Sequence, residues 1–180
     1  FLGYAEKPAF SMSGGLYEGT ITVSVTVPYG TNVRYTTDGS IPTIDNGEAY
    51  TAPFSISNTV VLRARAFQSG LQPSSTITAS YIMNTYFTMP VISVICDPDE
   101  LWNAETGLFV AGDNVDKTKR PYGNTIYRKF GKIARPGYVE MFEAGSTGTA
   151  LISQGVKFEL SGDYSLDLPQ KSMKFRAQAK

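Results

Sequence analysis

Residues 35–43 read Tyr35-Thr36-Thr37-Asp38-Gly39-Ser40-Ile41-Pro42-Thr43, and this stretch decides the fold of the first half of the chain. The run entering it alternates Val33, Tyr35 and Thr37 against Asn32, Arg34 and Thr36, the period-two pattern of a strand with one buried face. Asp38-Gly39 breaks that strand, because both residues suit the backbone angles of a tight turn. Pro42 has no N–H to give a ladder and stops the strand that would follow.

Strands lie on both sides of the turn. Thr20 to Val27 reads TITVSVTV, and one strand is expected there with Ile21, Val23, Val25 and Val27 facing inward. Pro28-Tyr29-Gly30 turns the chain into the next strand. Phe54-Ser55-Ile56 is a short strand after Pro53. In Val60 to Phe67, Leu62, Ala64 and Ala66 make a small inward face, and Arg63 and Arg65 are expected to point to solvent. Thr76 to Met83 gives the last strand of this half and Pro8 to Ser11 the first. About six strands in roughly 80 residues is sandwich spacing, with no competing helical period.

Composition narrows the chemistry. Of 180 residues, 42% are hydrophobic and 18% charged, with 17 Gly and 10 Pro, which suits an all-β globular chain. Sixteen basic residues balance sixteen acidic ones, so no overall field recruits nucleic acid or an anionic membrane. There is no His, which removes the commonest general base and metal ligand. The single cysteine, Cys96, allows no intramolecular disulfide or zinc cluster and reads as a small buried hydrophobe. No stretch of about 18 apolar residues is present to span a membrane. Phe1-Leu2-Gly3-Tyr4 lacks the charged flank and long apolar core of a signal peptide, which leaves open a mature secreted fragment.

The character changes at Asn84 to Met89, which places a boundary between a first domain, residues 1–84, and a second, residues 85–180. Pro90 opens an apolar strand, Val91 to Ile95. Asp97-Pro98-Asp99-Glu100 then predicts a short helix, with Asp97 as N-cap, Pro98 at the first position and Glu100 closing a capping box. Capping accounts for these carboxylates without a metal ion. The helix is expected to end near Thr106-Gly107, and Leu108-Phe109-Val110 to form a strand. Ala111 to Lys132 is a long polar insertion with six Lys or Arg against two Asp, and Asp113 and Asp116 lack calcium-loop spacing. Gly137 to Phe142, Thr149 to Ser153, Gly155 to Leu160 and Ser172 to Ala177 read as strands. In the last of these Met173 and Phe175 form the buried face, and Lys174 and Arg176 share the other. The chain stops at Lys180, in or just after a strand, as a natural domain or a truncated one would.

Two resemblances cover nearly the whole chain. The 35–43 turn, followed by Gly47, Tyr50, Pro53, Val61 to Phe67 and Gly70-Leu71-Gln72-Pro73-Ser74, resembles the immunoglobulin-like module at the C-terminus of chitobiases and β-hexosaminidases, also a spacer in bacterial surface proteins. In the second half, Met89 to Val94 with Asp99-Glu100-Leu101-Trp102 and Thr106 to Val110, then Arg135 to Phe142, then Gly155 to Phe158 leading to Pro169 to Arg176, resemble the N-terminal portion of the kinase-like CotH family of spore-coat proteins. The expected fold is therefore mainly β: an immunoglobulin-like β-sandwich, then a mostly antiparallel β region with one short helix, a partial kinase-like N-terminal lobe.

The pairing implies a secreted or cell-surface multidomain protein of Gram-positive bacteria. For an intact CotH-type member the resemblance implies ATP and Mg2+ binding and phosphorylation of a protein substrate, as an atypical protein kinase. The family's catalytic and metal-binding Asp residues would lie past Lys180, so neither catalytic nor metal-binding residues are assigned in this chain, which is expected to be inactive alone and without a cofactor of its own. Lys174 and Arg176 stand where the family has an Arg and a Lys and are the candidate nucleotide contacts, although ordinary surface charges would look the same. Asp163, in the preceding turn, departs from the family pattern and would oppose a phosphate. Expected partners are the remainder of the parent chain, with a protein substrate or a cell-wall glycan, and neither nucleic acid nor a membrane span. The alternative reading is a carbohydrate-binding or adhesion module using Tyr29, Tyr50 and Tyr122 as flat apolar surfaces with polar handles.

Overall fold

The computed structural model describes residues 3–110, 118, 133–145, 148–162, 166, 168 and 170–178. These residues are mainly β, with one short helix. Contacts divide the chain into two compact units, Phe1–Ser93 with Glu140–Ser153, and Val94–Val139 with Gln154–Lys180.

The first unit holds β1 (Ala9–Phe10), β2 (Gly15–Tyr17), β3 (Ile21–Val23), β4 (Val25–Thr26), β5 (Asn32–Thr36), β6 (Glu48–Ala49), β7 (Phe54–Ile56), β8 (Val60–Phe67) and β9 (Ile77–Met83). A five-stranded sheet has the order β2-β9-β8-β5-β6, and the pairs β3-β7 and β1-β4 face it. Val23 and Ile56 from the facing pair meet Leu62, Ala79 and Tyr81 of the large sheet, which makes an immunoglobulin-like sandwich. The inward run Leu62, Ala64 and Ala66 is fully buried, as the alternation requires.

TITVSVTV is not one strand. It breaks at Ser24, whose N–H donates to Ser11 Oγ and whose carbonyl accepts the Ser11 N–H, each at 2.9 Å. The chain thereby passes from pairing with β7 to pairing with β1. Val23 and Val25 stay buried, whereas Val27 lies past the strand end and is exposed. A second departure is Arg63, which is buried: its guanidinium donates to the Gly39 carbonyl at 2.8 Å. The outer face of β9 is covered too. Ile82 and Leu16 pack with Phe142 against Phe87, Val91 and Ala150, all within this unit, so β9 is covered on both faces.

Five further elements follow β9: β10 (Val91–Cys96), α1 (Pro98–Trp102), β11 (Arg135–Phe142), β12 (Ile152–Ser161) and β13 (Ser172–Ala177). The strands form a sheet in the order β10-β11-β12-β13. Cys96, Leu108, Phe158, Leu160 and Leu166 make the core of the second unit. One strand, β12, replaces the two expected around residue 154, and Thr149 contributes only an isolated bridge to Gly15. Helix α1 ends at Trp102 rather than near Gly107, and residues 108–110 form turns rather than a strand. Asp97 caps the helix by accepting the Asp99 N–H, but Glu100 closes no capping box: its carboxylate pairs with Arg135 at 2.8 Å. The insertion at 111–132, apart from Thr118, and the Asp163 turn lie outside the described residues.

Candidate functional site

Residues 35–43 form a closed polar knot. Asp38 Oδ1 accepts the Ser40 N–H at 2.9 Å and the Ser40 hydroxyl at 2.7 Å, and these bonds hold its carboxyl below the usual range. Gly39 sits at a φ of 84°, in the left-handed region that favours glycine. Thr36 donates its hydroxyl to the Ser40 carbonyl at 2.6 Å, and the Asn46 amide donates to Ser40 Oγ and the Ile41 carbonyl. With the buried Arg63 bond to the Gly39 carbonyl, these groups of the turn are hydrogen-bonded to one another and to the sheet.

The three tyrosines of the carbohydrate reading separate. Tyr29 stands fully exposed at the turn between β4 and β5. Tyr50 is half-buried edge-on to Phe54, whose other neighbour is the stacked ring of Tyr35 at 4.8 Å. Burial and a hydrogen bond to Glu48 push the Tyr35 hydroxyl up to about 12. Tyr50 therefore serves an aromatic packing cluster, and Tyr122 lies outside the described residues.

Lys174 and Arg176 share a face of β13, as their spacing requires, and both side chains are more than half exposed. They are not independent of their surroundings. Glu159 on the adjacent strand lies 2.9 Å from Arg176 and 3.9 Å from Lys174 and is itself buried. Lys157, in register with Arg176, adds a third cation to the face. Three cations around one carboxylate leave net positive charge, so the face suits an anion, though Glu159 must share its partners with any phosphate. Met173 and Phe175, expected to be buried, are 41% and 39% exposed, because β13 is the last strand in its sheet order. Among the described residues no group of three or more His, Cys, Asp or Glu is placed to hold a metal ion.

Glu140 was not marked by the sequence. It is 2% exposed in the first unit, where its carboxylate accepts the Ser80 N–H at 2.6 Å and the Ser153 hydroxyl at 3.3 Å. Burial raises its carboxyl above the ordinary value, against the lowering pull of those bonds. In Val139-Glu140-Met141 it reads as the solvent residue of an alternating strand, and no signal in the sequence distinguishes it. A buried carboxylate whose oxygens are engaged by a backbone amide and a hydroxyl is a fastening.

No helix among the described residues is long and apolar enough to cross a membrane. No curated protein and no solved structure matches the chain. The family of the chitobiase/beta-hexosaminidase C-terminal domain matches residues 12–78, from just before β2 through the 35–43 knot and into β9; that segment is a domain of this type.

Proposed function

We propose that residues 1–84 act as a spacer in a secreted or cell-surface bacterial multidomain protein, and that residues 85–180 are the opening β region of a CotH-type kinase-like domain, inactive by itself. The observation that carries the spacer reading is the 35–43 knot. Its polar groups bond to Arg63, Thr36 and Asn46, so the defining turn of the matched family serves the fold. The motif order in the second half supports the CotH reading, and the Lys157, Lys174 and Arg176 face supports phosphate contact.

Phosphotransfer needs a carboxylate to take the hydroxyl proton and others to hold Mg2+ against the phosphates. Lys174 and Arg176 can attract and orient phosphate oxygens but cannot act as that base. This reading therefore expects weak, salt-sensitive affinity for ATP with Mg2+ and no turnover by the 180 residues. Thermal shift with ATP and Mg2+, beside a phosphotransfer assay with a generic protein acceptor, tests it; measurable turnover would refute it.

One observation favours the carbohydrate reading as a second: Tyr29 presents its whole ring to solvent beside the rigid Pro28 turn, where Thr31 donates to the Pro28 carbonyl at 2.7 Å. Pull-down on cell-wall and plant polysaccharides decides it, with Tyr29→Ala as control. Binding abolished by that substitution establishes the second reading, and silence across the panel removes it.

A further inference from the structure

The only tryptophan of the chain is on the surface. Trp102, the last residue of α1, is 60% exposed, and its ring lies 5.3 Å from that of Phe109 at a 41° tilt. Leaving so large an apolar ring in water forgoes the burial that normally places it inside.

The backbone that carries the two rings is firmly built. The Leu108 N–H donates to the Glu100 carbonyl at 3.0 Å and the Phe109 N–H to the Leu101 carbonyl at 2.9 Å, folding residues 107–109 back along the helix. Gly107 permits that approach: a Cβ there would come within 2.5 Å of the Leu101 carbonyl oxygen. Arg135 fastens both sides, pairing with Glu100 at 2.8 Å and donating to the Thr106 carbonyl at 2.9 Å. Asn103 Oδ1 accepts the Glu105 and Thr106 N–H groups, which presents its amide NH2 as a donor. Asp99, Asn103, Glu105 and Thr106, all exposed, flank Trp102 within one turn of chain.

We propose that the Trp102–Phe109 shelf binds a saccharide that lacks carboxylate and phosphate groups. Trp102, braced by the half-buried ring of Phe109 that packs on the core beneath it, offers an apolar surface of the size of one pyranose ring, and the flanking residues offer the donors and acceptors that sugar hydroxyls need. A second protein is a poorer occupant, since two aromatic side chains supply about 150–250 Å² each, against about 800 Å² per partner in a stable interface. With Glu100 held by Arg135, the carboxylates left at the rim are Asp99 and Glu105, which repel an acidic glycan and accept hydrogen bonds from a neutral or amino sugar. The site lies wholly in the second unit and does not rest on the spacer reading of the first.

Because the chain has one Trp, its fluorescence reports this site alone. Titration of the 180-residue protein with chito-, cello- and xylo-oligosaccharides should give a saturable blue shift and protection from acrylamide quenching with at least one series, and none with oligogalacturonate. By calorimetry Trp102→Phe should weaken binding by about threefold and Trp102→Ala by about tenfold, with far-UV circular dichroism confirming the fold. Tyr29→Ala, which tests the other sugar reading, should leave the signal intact. The proposal is overturned if no neutral or amino sugar changes the emission, if Trp102→Ala binds as the parent does, or if oligolysine alone produces the change, which would make the shelf a basic-peptide site.

Discussion

Glu140 and Ser80 lie 60 positions apart, and the Glu140 carboxylate accepts the Ser80 backbone N–H at 2.6 Å with its side chain almost wholly buried. Ser80 is on the outer face of β9, the strand that lies between β2 and β8 in the large sheet. That contact fastens residues 140–153 to the sandwich, beside the apolar cluster of Leu16, Ile82 and Phe142. Gly14 makes the room, since a Cβ there would lie 2.8 Å from Glu140 Oε1. The stability of the first unit therefore depends on residues well beyond the segment that matches the chitobiase-type family.

Replacement of Glu140 tests the fastening. Glu140→Ala strands the buried Ser80 N–H and opens a cavity, and should cost about 2–4 kcal/mol. Glu140→Gln keeps an acceptor for that N–H while removing the buried charge, and should cost under about 1 kcal/mol at neutral pH. Burial raises the folded carboxyl above 4.5, so its contribution to stability is complete below 4.5 and is lost as pH rises through the folded value. Denaturant unfolding across that range should show the wild-type advantage over Glu140→Gln shrinking as pH rises. A gap independent of pH would refute the assignment.

Asp38 has the opposite sign. Its hydrogen bonds from Ser40 lower its carboxyl, so the stability it contributes is present above 3.8 and lost as pH falls through the lower folded value. The group is exposed, so Asp38→Asn should cost less than about 1 kcal/mol at neutral pH. Its difference from wild type should fade as the solution is acidified, which acid titration of unfolding measures directly.

Arg63 carries more of the same turn. Removing its buried guanidinium in Arg63→Ala leaves the Gly39 carbonyl without that donor and should cost about 2–3 kcal/mol. The distinguishing measurement is amide exchange. Ser40 and nearby amides should exchange faster in Arg63→Ala while those of β9 keep nearly the wild-type rate, because the loss is local to the knot. Uniform acceleration across the sandwich would mean that Arg63 supports the whole fold.

The strands of the first half were legible because period-two alternation is a local property: Leu62, Ala64 and Ala66 had to face one way, and they do. What sequence could not show is which outer faces another element covers. Arg63 and Glu140 look like solvent residues in alternating strands, and each is buried by chain distant from it. The reverse holds at β13, where Met173 and Phe175 have the pattern of a buried face but stand on a strand with a neighbour on one side. Among candidate site residues, the shared face of Lys174 and Arg176 followed from spacing, whereas Glu159 between them followed only from strand register.

That register sets up a test of the basic face. Glu159→Gln should change stability by less than about 1 kcal/mol, because its partners are mostly solvated. It frees Arg176, 2.9 Å away, and Lys174, 3.9 Å away, from their shared carboxylate. Affinity for inorganic tripolyphosphate, followed by calorimetry at low salt, should rise by roughly three- to tenfold and should fall again as salt screens the face. Arg176→Ala should lower it below the wild-type value. If Glu159→Gln and Arg176→Ala both leave tripolyphosphate binding unchanged, these cations serve the β12–β13 pairing alone, and the phosphate role falls.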